Sequence, residues 1–413
     1  MHPLLRNGPF VRLMAGRLVT NAGDSLYYIA AMWLVYSLTG SAFYTGLAGF
    51  LTMLPGAFQF LAGPLVDRVS IRRVLVTTQV IQGVLVLTIP LAHYTGHLTV
   101  WFVLTVMPVL ASLNQLVYPA QITALPRLVD DEHLVPANSA FSFAYQGVDL
   151  VFNAVGGIVV AVFGAVTLFL VDSVTFAAAA LLFFSVRVPP AEDADADATE
   201  SPLQTYLTDL REGIAALRAS PLFLLILGAV VANFAFSGYF AVLPAYADTL
   251  GNSAAYGLLL AALSAGMLAG ALGAGTVDHF AFGRLIVVSY LLSGVLWVLA
   301  VLAPSLALTA ALFAVAAVPI GATNVLVMTL VQTSMPERLV GRVTSVLVSM
   351  ATVATPFGAL LGGAAADASG PTVVMLATGV SFVFVAGYVI ALPRLRKLGP
   401  IGDVEFAVGA AAD

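Results

Sequence analysis

The chain is 413 residues long, and its composition is not that of a water-soluble protein. Apolar residues make up 60% of it and charged residues 9%, whereas a soluble domain has about 25% charged residues. Its mean hydropathy is +1.01. A protein of this composition must have an apolar surface, so the sequence predicts an integral membrane protein with the lipid bilayer as its solvent.

The residue types that are missing narrow the function further. There is no cysteine, which excludes disulfides, thiolate nucleophiles and cysteine-ligated metal sites. The one lysine, Lys397, follows the last apolar segment, so no P-loop lysine can hold nucleotide phosphates. No nucleophile–base pair or metal-ligand cluster stands at the end of an apolar segment, and we expect neither an enzyme, a cofactor nor a metal site. The modest net charge of −5 argues against a nucleic-acid partner.

Twelve apolar windows long enough to cross a bilayer follow one another along the chain. All must be helices, because an unpaired backbone amide in hydrocarbon costs several kcal/mol. In chain order the predicted spans cover 11–37, 43–66, 74–93, 98–124, 137–162, 165–186, 221–247, 255–277, 284–303, 306–333, 342–366 and 371–392.

The basic residues predict the orientation of the spans. If the N-terminus is cytoplasmic, all 16 Lys and Arg residues fall on the inner side and the outer loops contain none. Cytoplasmic loops are enriched in Lys and Arg. We therefore expect a multi-pass protein of the cell (plasma or inner) membrane with both termini in the cytoplasm.

A polar break between spans six and seven divides the chain. Residues 189–204 are acidic and poor in apolar side chains, which is typical of a flexible, solvated tether. Residues 206–220 place their apolar side chains on one face, which is typical of an amphipathic helix at the membrane surface. The predicted organisation is a six-helix bundle over 1–187, a linker over 188–220, a second six-helix bundle over 221–393 and a cytoplasmic tail over 394–413.

The two halves of the sequence repeat one another in register. A shift of 212 residues carries Asn21 onto Asn233, and a shift of 211 carries Asp67 onto Asp278. Several such matches in order indicate a duplication. Two like bundles are the architecture of a transporter that rocks around a site at their interface. The predicted fold class is an all-α membrane protein with twelve transmembrane helices in two pseudo-symmetric six-helix bundles.

A charged motif follows the second span. The stretch GPLVDRVSIRRVL at 63–75 resembles the Gly-x-Leu-x-Asp-Arg-x-Gly-Arg-Arg signature of the major facilitator superfamily, and 275–285 is similar to it. The segments 16–47 and 125–139 resemble the branch of that superfamily that contains macrolide-efflux proteins and enterobactin-type siderophore exporters. The resemblance implies the major facilitator fold. It also implies a gating role for Gly63, Asp67, Arg68, Arg72, Arg73, Asp278 and Arg284.

The alternative is that these loop arginines only set the topology, because they hold the inner end of a span through the positive-inside effect. Both roles are compatible with the sequence.

Three acidic residues lie inside predicted spans, namely Asp24, Asp149 and Asp172. An ionised carboxylate in hydrocarbon costs roughly 2.5–3.5 kcal/mol, so each needs a reason. Asp24 and Asp149 lie mid-span and are the candidate proton-coupling residues, because a carboxylate that loses its charge by binding a proton suits a proton carrier. The alternative for Asp24 is a hydrogen bond to a neighbouring helix without titration. For Asp172, near the outer end of span six, a structural hydrogen bond is the favoured role.

Polar side chains near these acids mark the expected substrate cavity, because helical spacing places each set on one face of its span. In the fold that the chain resembles, spans one, four, five, seven, eight and ten face the cavity. The candidates are Arg17, Asn21 and Tyr28 on span one, Asn114, Tyr118 and Gln121 on span four, Asn138, Tyr145 and Asn153 on span five, and Asn233 and Asn324 in the second half.

A cavity with few polar groups favours bulky amphipathic or lipophilic substrates. The predicted function is secondary active export of drug-, macrolide- or siderophore-like small molecules by alternating access, driven by proton antiport. We expect a monomer whose partners are a small-molecule substrate, protons and lipid. Two alternatives stay open: an importer or uncoupled facilitator of a small organic solute, and a non-transporting membrane receptor or assembly protein.

Overall fold

The structure is a computed structural model of the chain. It describes residues 3–56, 70–142, 148–189, 211–218, 220–251, 253–404 and 406. Within these residues the chain is almost entirely α-helical and contains no strand.

Thirteen helices of nine or more residues follow one another in the described part of the chain. In the first half they are α1 (Gly8–Thr39), α2 (Ala42–Met53), α3 (Ile71–Tyr94), α4 (Val100–Ala124), α5 (Leu134–Ser142), α6 (Val148–Phe163) and α7 (Ala165–Phe184). In the second half they are α8 (Leu222–Leu250), α9 (Ser253–Gly273), α10 (Phe282–Val301), α11 (Leu306–Ser334), α12 (Glu337–Ser369) and α13 (Pro371–Ala391).

Ten of the twelve predicted spans coincide with one continuous helix among the described residues. For span two, α2 ends at Met53, and 57–66 lie outside the described residues. For span five, α5 and α6 cover the two ends, and 143–147 lie outside. Nine helices in the described part of the chain are long and apolar enough to cross a membrane. The predicted all-α membrane class is confirmed.

Polar caps set the ends of several helices. The Asn7 side chain accepts a hydrogen bond from the Phe10 backbone N–H at 3.1 Å and begins α1. Gly40, in the left-handed conformation with φ 64°, ends it. Thr99 and Ser305 cap α4 and α11 in the same way as Asn7. Such caps set where α1 ends and where α1, α4 and α11 begin.

The chain divides into two compact units, of which the first comprises 1–40 and 47–198 and the second 41–46 and 199–413. In the first unit, α1 packs against α6 and α7, and α3 packs against α4 and α7. Small residues on α1 allow the close approach of α7. A Cβ added to Gly16 would lie 2.3 Å from the Phe183 ring.

In the second unit, α9 and α10 both pack on α11, while α8 packs against α12 and α13. Glycines bring α9 and α11 backbone to backbone. A Cβ on Gly270 would lie 1.9 Å from the Val318 carbonyl oxygen, and one on Gly321 would lie 2.0 Å from that of Met267. Small residues at the contact are the usual means by which membrane helices pack this closely.

Much of the predicted linker over 188–220 lies outside the described residues, including the acidic stretch 190–204. Within the predicted amphipathic segment, 211–218 are helical. This helix packs on α12, where Gly213 contacts the Arg342 backbone and Glu212 forms an ion pair with the Arg342 side chain.

Part of the predicted tail folds back onto the second unit. The backbone N–H groups of Phe282 and Gly283, at the start of α10, donate to the carbonyl oxygens of Gly399 and Leu398 at 2.9 and 3.2 Å. Glycine is required here, because a Cβ at 283 would lie 2.3 Å from the Leu395 carbonyl oxygen. The segment after α13 is therefore fixed against the N-terminal end of α10.

Candidate functional site

The polar residues predicted on the first span do share one face of α1. Arg17 and Asn21 are only 1% and 4% exposed, and Arg17 Nη2 donates to Asn21 Oδ1 at 2.6 Å. The half-buried Asp24 lies one turn further along the same helix. A buried guanidinium, an amide and a carboxylate thus follow one another along one face of α1.

Asp24 is held by a second helix. Asn114 Nδ2, on α4, donates to Asp24 Oδ2 at 3.1 Å. The two predicted polar faces, one on span one and one on span four, therefore meet at this pair. The contact fits both roles considered for Asp24, since a carboxylate hydrogen-bonded to a neighbouring helix can be purely structural or can also exchange a proton.

Two further predicted residues, Gln121 and Tyr28, have buried polar atoms. Gln121, on α4, is fully buried, and neither its Oε1 nor its Nε2 has a hydrogen-bond partner among the described residues. The Tyr28 hydroxyl on α1 is also buried and also has no hydrogen-bond partner among the described residues. Leaving such a group unsatisfied costs about 1–3 kcal/mol. Tyr118 is half-buried on α4.

Asp172 lies closer to this cluster than the sequence suggested. It is fully buried on α7, where its Oδ1 accepts a hydrogen bond from the Thr175 hydroxyl at 2.9 Å. A Cβ added to Gly23 would lie 2.1 Å from that same oxygen, so Asp172 packs directly on α1 next to Asp24. Its Oδ2 has no hydrogen-bond partner among the described residues. Periodicity along one helix could not reveal this neighbour, because the contact depends on how α1 and α7 pair.

Several candidate residues are not described. Gly63, Asp67, Arg68 and Tyr145 lie outside the described residues. Asp149 and Asn153 lie on α6, but their side chains are outside the described part of the structure.

The remaining amide candidates bind within their own helices. Asn138 Nδ2 donates to the Leu134 carbonyl oxygen at 3.0 Å, and Asn233 Nδ2 to that of Ala229 at 2.9 Å. Asn324 is exposed. Among the described residues, none of these three side chains forms a hydrogen bond between helices.

The second unit has a buried aromatic cluster that the sequence reasoning missed. The Tyr239 and Trp297 rings are 4.9 Å apart, and Trp297 Nε1 donates to the Met375 carbonyl oxygen at 3.0 Å. The fully buried Tyr239 hydroxyl has no hydrogen-bond partner in the part of the chain that the structure describes. The spacing of the aromatic residues at 236, 239 and 240, which places them on one helix face, was the available signal.

The described loop residues with a predicted gating role lie in different surroundings. Arg72, at the start of α3, places its guanidinium 4.3 Å from the centre of the Phe184 ring, while Arg73 is exposed. Asp278 lies 4.0 Å from the His279 ring and forms no ion pair with Arg284 in the described structure. Arg284 instead lines a groove between helices.

Known proteins resemble this chain over nearly its whole length. The sequence model of the Major Facilitator Superfamily matches residues 13–346. The multidrug efflux pump Tap of Mycolicibacterium fortuitum is 27% identical over 405 residues, covering 95% of this chain and 98% of that protein. Macrolide efflux protein A of Streptococcus pyogenes is 24% identical, covering 94% and 97%. A bacterial homologue of the human lysosomal transporter Spinster, inward-facing and occupied, has the same fold, with a TM-score of 0.72, 15% identity and coverage of 96% and 98%.

Proposed function

Because this chain belongs to the major facilitator superfamily, a family of multi-pass membrane transporters, we propose that it exports amphipathic or lipophilic small molecules by proton antiport. Two relatives that it matches from end to end are a multidrug efflux pump and a macrolide efflux protein. The substrate class comes from them and from the apolar character of the spans. The observation that carries the coupling mechanism is the Asp24–Asn114 hydrogen bond inside the first unit.

The Asp24–Asn114 pair can hold both protonation states of the carboxyl group. An ionised carboxylate accepts the Asn114 N–H, as in the described geometry. A protonated carboxyl can donate its O–H to the amide oxygen of the same side chain. A carboxyl group that keeps a partner in both states can take up and release a proton without leaving a buried group unsatisfied.

The proton gradient supplies enough free energy for this function. One proton that crosses about 150 mV releases roughly 3.5 kcal/mol. Since each tenfold ratio costs about 1.4 kcal/mol, one proton per substrate sustains a gradient of a few hundred-fold. In the cycle we propose, protonation removes the charge penalty of Asp24 or Asp149, and the two duplicated halves, 1–187 and 221–393, then reorient around the substrate.

The proposal also covers the gate, the oligomeric state and the topology of the chain. The loop residues Arg72 and Arg73 act at the inner surface as part of the gate, together with 63–68. The chain works as a monomer with both termini in the cytoplasm, the linker over 188–220 joining the halves and 394–413 forming the tail.

The coupling residues are tested by carboxylate replacement in proteoliposomes with an imposed inward proton gradient. Asp24→Asn and Asp149→Asn, made separately, should each lower gradient-driven transport of a macrolide at least tenfold. Asp172→Asn is the matched control, because an amide oxygen can still accept the Thr175 hydroxyl. Undiminished, gradient-dependent transport in both the 24 and the 149 variant would contradict carboxylate coupling.

The substrate class and the direction are tested in everted membrane vesicles with a panel that holds a macrolide, a lipophilic dye and a catecholate siderophore. Uptake into everted vesicles that stops on addition of an uncoupler supports proton-driven export. Movement that ignores the uncoupler indicates a facilitator, and movement in the opposite direction indicates an importer. A chain that moves no member of the panel and none of a wider set of organic solutes fits a non-transporting membrane protein.

A further inference from the structure

A groove opens on the second unit between two helices that both rest on a third. Helices α9 and α10 pack on α11, and the groove between them has a volume of about 510 Å³. Its walls are apolar or small, and Val288 on α10 and Phe280 in the preceding loop are more than half exposed. Gly270 and Pro319 form part of the floor. A groove of this kind on a membrane-spanning surface accepts a hydrocarbon chain without any loss of polar contacts.

One end of the groove is strongly basic. Arg284, on the first turn of α10, lines the groove and also an adjoining recess of about 460 Å³. The other charged side chains of that recess are Arg396 and Lys397. All three are exposed, and none forms an ion pair with a residue that the structure describes. The acidic residue nearest to Arg284 in sequence is Asp278, and its carboxylate lies beside the His279 ring instead.

The three cations are brought together by the fold. Arg396 and Lys397 follow α13, more than one hundred residues after Arg284. Two backbone hydrogen bonds from 282 and 283 to 399 and 398 fix that segment against α10. The close approach depends on Gly283, as described above. The recess is therefore a built feature of the second unit.

We propose that this site binds one anionic phospholipid, with the phosphate on Arg284, Arg396 and Lys397 and one acyl chain in the groove. The ligand must be both anionic and apolar, since the basic recess and the hydrocarbon groove share Ala281 and Arg284. Basic pockets between helices on the cytoplasmic side suit anionic lipid head groups. The positive-inside pattern places these three cations on that side, where anionic lipids supply such head groups.

Charge complementarity favours a lipid over the other occupants. A free phosphate ion would engage the recess and leave the groove without a role. A neutral lipophilic drug would fill the groove and leave the three cations without a counterion. A diacyl phospholipid with a net negative charge satisfies both parts at once. The site is separate from the Asp24 cluster, which lies in the first unit.

The proposal is tested on purified, delipidated protein in detergent, with bound lipid counted by native mass spectrometry. Wild type is titrated with phosphatidylglycerol, with phosphatidylcholine and with inorganic phosphate. One phosphatidylglycerol should bind at least tenfold more tightly than phosphatidylcholine. In the triple variant Arg284→Gln/Arg396→Gln/Lys397→Gln, the affinity for phosphatidylglycerol should fall on the order of 100-fold. That factor corresponds to about 1 kcal/mol for each cation near an anionic lipid.

A second triple variant controls for the loss of charge as such. Arg12→Gln/Arg187→Gln/Arg394→Gln removes three exposed arginines that do not line the recess, and it should keep wild-type affinity. An equal loss in both triple variants would show a general surface effect and overturn the site.

A groove-filling variant separates a lipid from a bare anion. Gly273→Phe adds a side chain where a Cβ meets nothing within 4 Å, so it should fill the groove without disturbing the fold. Val288→Trp fills the groove from the opposite wall and replaces the first variant in the test if Gly273→Phe is unstable. Both should weaken phosphatidylglycerol binding at least tenfold while all three cations remain. Two outcomes would overturn the proposal, because each would show an anion site that holds no acyl chain. One is wild-type affinity for phosphatidylglycerol in these variants. The other is displacement of the lipid by inorganic phosphate at an equal concentration.

Discussion

Asn114 donates a hydrogen bond to Asp24 over 3.1 Å and so joins the first transmembrane helix to the fourth. On the same face of α1, Asn21 is buried one turn from Asp24 and Arg17 is buried two turns from it. This hydrogen bond gives Asp24, one of the two proposed proton-coupling residues, a neutral partner on a neighbouring helix.

We predict that Asn114→Leu lowers gradient-driven transport about tenfold. The change removes a hydrogen bond to a charged group, a contact worth about 1.5–3 kcal/mol, and leaves the carboxylate beside an apolar side chain. Transport is measured in proteoliposomes at a fixed proton gradient. Gln115→Leu is the matched control, because that neighbouring amide donates to the Ala111 carbonyl oxygen of its own helix. Equal losses in the two variants would mean that the effect belongs to α4 in general.

We predict that Gly23→Ala destabilises the first unit by about 1–3 kcal/mol, the usual cost of an overpacked core. The added Cβ would lie 2.1 Å from both Asp172 Oδ1 and Thr175 Oγ1, so α7 has to move away from α1. The midpoint of thermal unfolding in detergent is the measurement. Gly387→Ala on α13 is the control, since a Cβ there meets nothing within 4 Å and alanine favours a helix. If both variants unfold at the wild-type temperature, Asp172 does not pack on Gly23 as described.

The positions of the helices could be predicted from the sequence because an apolar window of about 20 residues has few alternatives in a membrane. The same holds for the polar face of α1, since the spacing of Arg17, Asn21 and Asp24 follows directly from the helical repeat. These predictions need only local information.

The contacts between helices could not be predicted in the same way. They depend on which helices are neighbours and on how each helix is rotated about its own axis. The sequence placed Asn114 on the same cavity as Asp24, but not within hydrogen-bond distance of it. The sequence favoured a structural hydrogen bond for Asp172 but could not identify its neighbour on α1, Gly23. The basic recess at Arg284 was equally hidden, since its other two cations come from the segment after the last helix.

We predict that Asp367→Ala loosens the start of α2. Asp367 Oδ1 accepts the Ala42 backbone N–H at 2.8 Å, and its Oδ2 accepts the Ser41 hydroxyl at 2.5 Å, so a residue of α12 caps α2 from a distant part of the chain. Loss of an N-cap costs about 1 kcal/mol, which corresponds to roughly fivefold faster amide exchange over 41–46. Hydrogen–deuterium exchange measured by mass spectrometry reports this directly.

Asp367→Asn is the matched variant for the cap, because the amide keeps one acceptor oxygen for the Ala42 N–H. Its exchange over 41–46 should fall between that of wild type and that of the alanine variant. Exchange that is unchanged in Asp367→Ala would show that the carboxylate does not hold this helix start.

We predict that the orientation of the chain is readable from two introduced cysteines, since the natural sequence has none. Thr95→Cys lies in the exposed turn after α3, and Arg211→Cys lies at the exposed start of the helix over 211–218. The basic residues predict the first on the outer surface and the second in the cytoplasm. In intact cells a membrane-impermeant maleimide should label only the residue at 95, and in everted vesicles only the residue at 211. Labelling at 211 in intact cells would reverse the predicted topology and, with it, the side of the membrane on which Arg284, Arg396 and Lys397 meet lipid.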